Sequence, residues 1–303
     1  MSAKNNLNIK HNILIPVGVL TYNNSIALLE ASVSDAGFYF AWSKTGEYFE
    51  PAEISKEKRV TFKNGLRIHL PSECRDFRFA LVEKKYLVTY VRTYKSKKYR
   101  ITAYSKNLYD WNVVSEVEFQ GRESVIASET LVKGQYLMYE SEVFVSALTS
   151  TDFKKWDDNN EYVFTSRAGM FDDGLLKVMG AFSTDRGIAL IYESINDHDE
   201  MYNISVGGAI FSFDNPRKIL WRSETALWKS EGRFPESTNH SIIGAVPQDD
   251  DILLYWVTAQ GELLIGRVKP IGKVKHQLRP DRVTLTRHVA NPVLSPEIGR
   301  AHV

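Results

Sequence analysis

A five-bladed, all-β propeller is the fold this sequence predicts, on three observations. Short apolar strands recur along almost the whole chain, no segment of comparable strength carries a helical period, and one strand–turn–aromatic unit repeats. The strands are expected at Ile13–Leu20, Ser25–Glu30, Gly37–Trp42, Phe77–Val82, Tyr86–Arg92, Tyr99–Tyr104, Gln135–Tyr139, Val143–Leu148, Ile188–Glu193, Ser205–Phe211, Ile252–Val257 and Leu263–Val268. Their lengths and their β-branched and aromatic bias suit a pleated, buried surface. Between them lie Tyr22-Asn23-Asn24, Glu83-Lys84-Lys85, Val132-Lys133-Gly134, Asp185-Arg186-Gly187 and Gln248-Asp249-Asp250-Asp251, whose chemistry is that of hairpin turns.

The repeat begins at Ala41, Ala103 and Ala147. Each copy ends a strand on a small residue, makes a polar turn and places an aromatic eight or nine positions on: Phe49, Trp111 and Trp156. The small residue allows close packing, and the aromatic is expected to fill the space between successive sheets. Tyr202–Leu220 and Ile243–Val268 keep the hairpin pattern without the aromatic turn, which makes five units. A sandwich rarely needs so many strands.

The propeller is therefore assigned to residues 1–268. Residues 269–290, basic and interrupted by Pro270 and Pro280, read as a linker or closing segment. The last residues, 297–303, have no pattern continuous with the rest and are expected to be a non-native tail.

The chain of 303 residues is 43% hydrophobic and 25% charged, so a large core is affordable and disorder is excluded as its main state. Lysine and arginine total 38 against 37 acidic residues, which leaves no field to concentrate nucleic acid or an anionic membrane. The basic stretch Lys95–Arg100 falls where a hairpin tip is expected. Cys74 is alone, so neither an internal disulfide nor a cysteine-based zinc site can form. No signal peptide and no long apolar run is present, and the expected location is the cytoplasm.

Four stretches, in order along the chain, resemble glycoside hydrolase family 130, the β-mannoside phosphorylases and mannosidases. Glu73-Cys74-Arg75-Asp76-Phe77-Arg78-Phe79 is similar to the family's Glu-Asp-Pro-Arg-Ile signature, and Phe171–Val178 to its Trp-Asp-Ser…Lys-Ile-Gly stretch. Thr184–Tyr192 is similar to Thr-Glu-Asp-Gly-Trp-Leu-Leu-Ile-Tyr, and Gly208–Leu220 to Gly-Ala-Leu-Leu-Asp-Leu-Asp-Pro-Lys-Val-Leu. Leu285–Pro296 is similar to the amino-terminal opening of a family member, so 291–296 is where a second, truncated propeller would begin.

The resemblance implies inverting cleavage of β-mannosides or similar oligosaccharides, with no metal or organic cofactor. Asp76 inherits the role of proton donor, with Arg78 beside it; the alternative is an ion pair between Asp76 and Arg75 or Arg78 that only links the structure. Phosphorolysis needs a cluster of cations to hold a phosphate dianion. Here the family's phosphate ligands correspond to Glu123-Ser124, Tyr139-Glu140 and Tyr192-Glu193-Ser194, and only Lys177 survives. Water is thus the expected attacking group. Glu193, then Glu140, is the candidate general base, unless Lys177 or an arginine merely neutralises it.

Lys177, Arg78, Tyr192, Asp173, Glu140 and His240 are the candidate sugar-site residues; His240 and Asp173 also suit ordinary loop and turn positions. The loss of family features leaves a second expectation open: a catalytically degenerate propeller that binds sugar or packs against a downstream domain.

Overall fold

The computed structural model describes residues 14–65, 70–119, 123–141, 144–157, 162–198, 201–229, 234–235, 240–248, 251–268 and 283–287. The expected fold is observed. Five antiparallel units follow one another, and among the described residues the one helical element is a single 3-10 turn at Pro71–Glu73. No helix there is long and apolar enough to cross a membrane.

Strands β1 (Leu14–Tyr22), β2 (Ser25–Ser32) and β3 (Gly37–Ser43) form the first blade. The second contains β5 (Cys74–Val82), β6 (Lys85–Tyr94), β7 (Lys97–Ser105) and β8 (Asp110–Glu118), edged by β4 (Thr61–Lys63), which runs parallel to β8. The third is β9 (Glu123–Val132), β10 (Gln135–Ser141), β11 (Phe144–Ser150) and β12 (Tyr162–Thr165). The fourth is β13 (Leu175–Thr184), β14 (Gly187–His198), β15 (Met201–Phe211) and β16 (Ile219–Arg222), with β17 (Trp228–Lys229) and β18 (Phe234–Pro235) also paired to β15. The fifth is β19 (His240–Gln248), β20 (Asp251–Thr258), β21 (Leu263–Val268) and β22 (Val283–Arg287). Residues 288–303, which include the proposed restart at Asn291, lie outside the described residues.

The innermost strands touch in the cyclic order β1, β5, β9, β13, β19 and back to β1, which closes the ring around a channel. Each blade is covered on both faces by its neighbours, so strands in the middle of a blade, such as β2, β6 and β20, are buried almost continuously rather than at alternate positions. In β20 the six central residues of Asp-Ile-Leu-Leu-Tyr-Trp-Val-Thr are all buried. The core is accordingly a set of clusters between blades. The repeated aromatics fill them: Phe49 joins blades one and five, Trp111 joins one and two, and Trp156 joins two and three.

Every blade carries a bulge or irregularity where its innermost strand meets the next, at Pro16/Gly18, Arg75/Arg78, opposite Tyr136/Met138, at Val178/Gly180 and at Ile242/Gly244. A bulge re-aims side chains and bends the strand. In blades one, four and five a glycine ends it, where a neighbouring innermost strand comes close: a Cβ on Gly18 would lie 2.7 Å from Phe77 Cβ, and one on Gly180 would lie 2.7 Å from the Ala245 carbonyl oxygen. The tips Asn23-Asn24, Glu83-Lys84 and Lys95-Ser96 have both residues at positive φ, the geometry of tight hairpin turns. The basic stretch Lys95–Arg100 is thus a hairpin tip and the start of β7.

Candidate active site

The five innermost strands run in one direction, so their first residues share one mouth of the channel. Asp76 and Arg78 lie near the start of β5, Glu123 opens β9, Lys177 is third in β13 and His240 opens β19. Glu193 reaches the same level from β14, where it pairs in register with Lys177. At the other mouth is a cavity of about 330 Å³ lined by Thr21, Leu81, Ser128, Ser183 and Val246, among others, and by none of the candidate residues.

Asp76 sits inside the β5 bulge with a φ of 58°, left-handed backbone that aspartate tolerates better than most residues. Its side chain is 15% exposed, and Arg75 Nε lies 3.2 Å from Oδ2. The pairing weighed from sequence is therefore formed, while the carboxylate keeps a face toward solvent. Arg78 is buried and donates to the carbonyls of Phe77 and Ile242 at 3.1 Å and of Val178 at 3.5 Å. Val178 and Ile242 immediately precede the bulges of β13 and β19. Arg78 thus ties three blades together beneath the mouth. Burial pulls its pKa down, against the opposing influence of Asp76, Glu123 and Glu193.

Glu193 is fully buried. Its Oε1 accepts from Trp256 Nε1 at 2.9 Å and lies 3.1 Å from His240 Nε2. Its Oε2 has no hydrogen-bond partner among the described residues. Burial alone would push the carboxyl up, but His240, Lys177 and Trp256 together hold it below the usual carboxylate value. Glu123 behaves oppositely: burial, with Asp76 and Glu193 nearby, pushes it up to about 7, against the pull of Lys177 and Arg78. Lys177 Nζ is 4.0 Å from Glu123 Oε1, and Ser141 Oγ lies 3.4 Å from Oε2.

Three candidate residues lie apart from this cluster. The Tyr192 side chain faces the third blade, since neighbours on a strand point oppositely. Its hydroxyl donates to Asp172 Oδ2 at 2.8 Å and accepts from Arg222 Nε at 3.1 Å. Asp173 accepts from the Gly169 amide at 2.7 Å within its own turn. Glu140 pairs with Arg100 across blades two and three. Glu123 and Trp256 are the site residues that sequence reasoning did not select. The signal for Glu123 was an acid opening an apolar strand where the family carries a cation.

The arrangement can hold one carboxylate ionised, keep another protonated near neutrality, and present a third at the rim. Among the described residues no group of three or more His, Cys, Asp or Glu side chains is placed to hold a metal ion.

No family model matches the sequence, and no curated protein matches it. Solved structures do. A glycosyl hydrolase from Bacteroides ovatus aligns with a TM-score of 0.66 at 21% identity, over 88% of this chain and 87% of that one. A structure from work on GH130 mannoside phosphorylases and hydrolases that target β-1,2-mannosidic linkages in Candida mannan aligns with a TM-score of 0.67 at 21% identity, over 86% and 85%. The β-1,2-mannobiose phosphorylase of Listeria innocua, in complex with β-1,2-mannobiose, aligns at 0.64 and 15% identity, over 82% and 88%. The chain therefore has the fold of the family 130 propellers that its sequence resembles.

Proposed function

We propose that this protein hydrolyses β-mannosides or related oligosaccharides with inversion. Asp76 gives its proton to the glycosidic oxygen as the bond to the anomeric carbon breaks. Glu193 takes a proton from the water that attacks the opposite face, so a sugar hemiacetal and a free hydroxyl result.

The observation that carries this reading is Glu193 itself: a fully buried carboxylate with one oxygen anchored by Trp256 and His240 and the other without a partner. Buried polar atoms are normally satisfied, and this oxygen, unlike the unpartnered one of Glu30, whose carboxyl burial pushes up to about 7, belongs to a carboxylate held ionised at the channel mouth, which suits a ligand or water there. His240 and Trp256 orient the base, and Lys177 stands beside it to meet a sugar hydroxyl. The substrate class is supported by the mannoside-active proteins that share the fold.

Water is favoured over phosphate on charge. Asp76, Glu123 and Glu193 face Lys177 and Arg78, and the Arg78 donors are engaged by backbone carbonyls. An incoming dianion would meet carboxylates in place of a cation cluster. The Arg75–Asp76 ion pair favours the second reading, a sugar-binding propeller without turnover.

Turnover of β-1,2- and β-1,4-mannobiose, with and without phosphate, separates these. Asp76→Asn should lower kcat by about 10²–10⁴-fold, the usual contribution of an acid catalyst. Full activity in that variant would remove Asp76 from the mechanism. Sugar binding without turnover in the wild type would favour the binding propeller.

A further inference from the structure

In the ring of innermost strands β5 stands between β1 and β9, so β13 and β19 lie across the channel from it. Arg78 is rooted on β5 and reaches both. Its Nε donates to the Val178 carbonyl at 3.5 Å and its Nη2 to the Ile242 carbonyl at 3.1 Å, while Nη1 donates to the Phe77 carbonyl of its own strand at 3.1 Å. The side chain is buried, and all three carbonyls stand at bulges, where the ladder is interrupted and a carbonyl needs another donor.

Each anchored carbonyl lies next to a group of the mouth. Phe77 follows Asp76, and Val178 follows Lys177, which is in register with Glu193. Ile242 is two residues after His240, whose Nε2 lies 3.1 Å from Glu193 Oε1. One end of Arg78 therefore belongs to the strand of the proton donor, and the other grips the strands that support the base. We propose that Arg78 is a positioning residue, a strut across the channel that fixes the separation of Asp76 from Glu193, and not a ligand of the sugar. An inverting reaction depends on that separation, because the attacking water must fit between the base and the sugar. A planar guanidinium can hold several carbonyls in fixed directions at once, whereas a lysine at this position keeps the charge but offers a single, flexible point.

This inference rests on the hydrolytic reading of the same site, so its test has one arm with turnover and one without. In the first, kcat and KM for β-1,2-mannobiose are measured for the wild type and Arg78→Lys, with folding checked by circular dichroism. Arg78→Lys should fold, lower kcat by about 10²-fold and leave KM within about threefold, as expected when the reacting groups are displaced but the sugar contacts remain. A wild-type kcat with a raised KM would make Arg78 a sugar ligand. Wild-type values of both, or a chain that does not fold, would make it a structural residue only. Each of these results would overturn the proposal.

In the second arm, the indole N–H proton of Trp256 is followed by NMR without substrate, its resonance assigned by its loss in Trp256→Phe. This proton is donated to Glu193 Oε1 at 2.9 Å, the oxygen that His240 of β19 also meets. Release of the Ile242 anchor in Arg78→Lys should move the resonance upfield as the bond to the carboxylate loosens, and an unmoved resonance would overturn the strut. The expected NMR shift in a protein that does not turn over mannobiose would strike the hydrolytic reading and leave the strut standing. Turnover by the wild type that persists undiminished in Arg78→Lys would do the reverse.

Discussion

At the scale of single residues, environment sets what each carboxylate does. Glu30 on β2 is buried, its Oε2 has no partner among the described residues, and burial pushes its carboxyl up to about 7. The folded state therefore holds this proton over a pH range in which the unfolded chain has released it. Stability present at pH 4.5 falls as pH rises toward 7. Glu30→Gln should flatten this part of the profile and raise stability above neutrality by about 2–3 kcal/mol, read from urea midpoints across pH. An unaltered profile would show that Glu30 is charged and satisfied in the folded state. Asp76, Lys177, Glu193 and His240 were singled out in the sequence, three of them because they fall within or beside recognisable family motifs, and the ring brings all four to one mouth of the channel. Glu123 was aligned with a phosphate ligand of the family but not selected, because only the closed ring brings its carboxylate against Lys177. Trp256 was hidden for a different reason: within an apolar run, an indole that donates to Glu193 is indistinguishable from one that only packs.

At the scale of elements, the blades are fastened to one another by polar joints as well as by apolar clusters. Asp172 precedes β13 and has no exposure. Its carboxylate receives Arg167 Nε at 2.9 Å, Arg222 Nη2 at 2.6 Å and the Tyr192 hydroxyl at 2.8 Å. Arg222 also lies 4.1 Å from the Phe164 ring centroid and donates to the Thr165 carbonyl, so blades three and four are locked together. Asp172→Asn leaves two guanidinium groups without their anion and should cost about 3–5 kcal/mol in chemical denaturation. A loss below 1 kcal/mol would mean that solvent replaces the carboxylate. Close approach is the second device. In Gly180→Ala the new methyl would lie 2.7 Å from a backbone oxygen of β19, and the strain should cost about 1–3 kcal/mol, measured as a shift in the denaturation midpoint. The hairpins were readable from the turn residues and the aromatic turns from their repetition. The outer strand β22 was not: Val283–Arg287 lies in a basic, proline-flanked stretch, and an edge strand needs no continuous apolar run to pair with β21.

At the scale of the whole molecule, the ring joins chain ends that are far apart in sequence. Tyr255 Oη donates to the Gly46 carbonyl at 2.9 Å, Gln248 Nε2 donates to the Lys44 carbonyl at 3.0 Å, and Phe49 meets the Tyr255 ring at 6.2 Å, edge on. The aromatic turn of the first blade thus closes the fifth. Closure is what creates the site: residues separated by more than a hundred positions face one another only because five innermost strands enter the channel from the same end. Propeller architecture was legible because five similar units are visible along the chain, whereas the contents of the mouth depend on which bulge aims which side chain inward. In the proposed reaction Glu193 acts as a base for water at this mouth. That role is tested most directly by following β-1,2-mannobiose in phosphate-free buffer by proton NMR, with the wild type and Glu193→Gln. The wild type should first release α-mannose, and Glu193→Gln should still bind the disaccharide but turn over about 10²–10⁴-fold more slowly. Turnover that requires phosphate, initial release of β-mannose, or full activity in Glu193→Gln would contradict it.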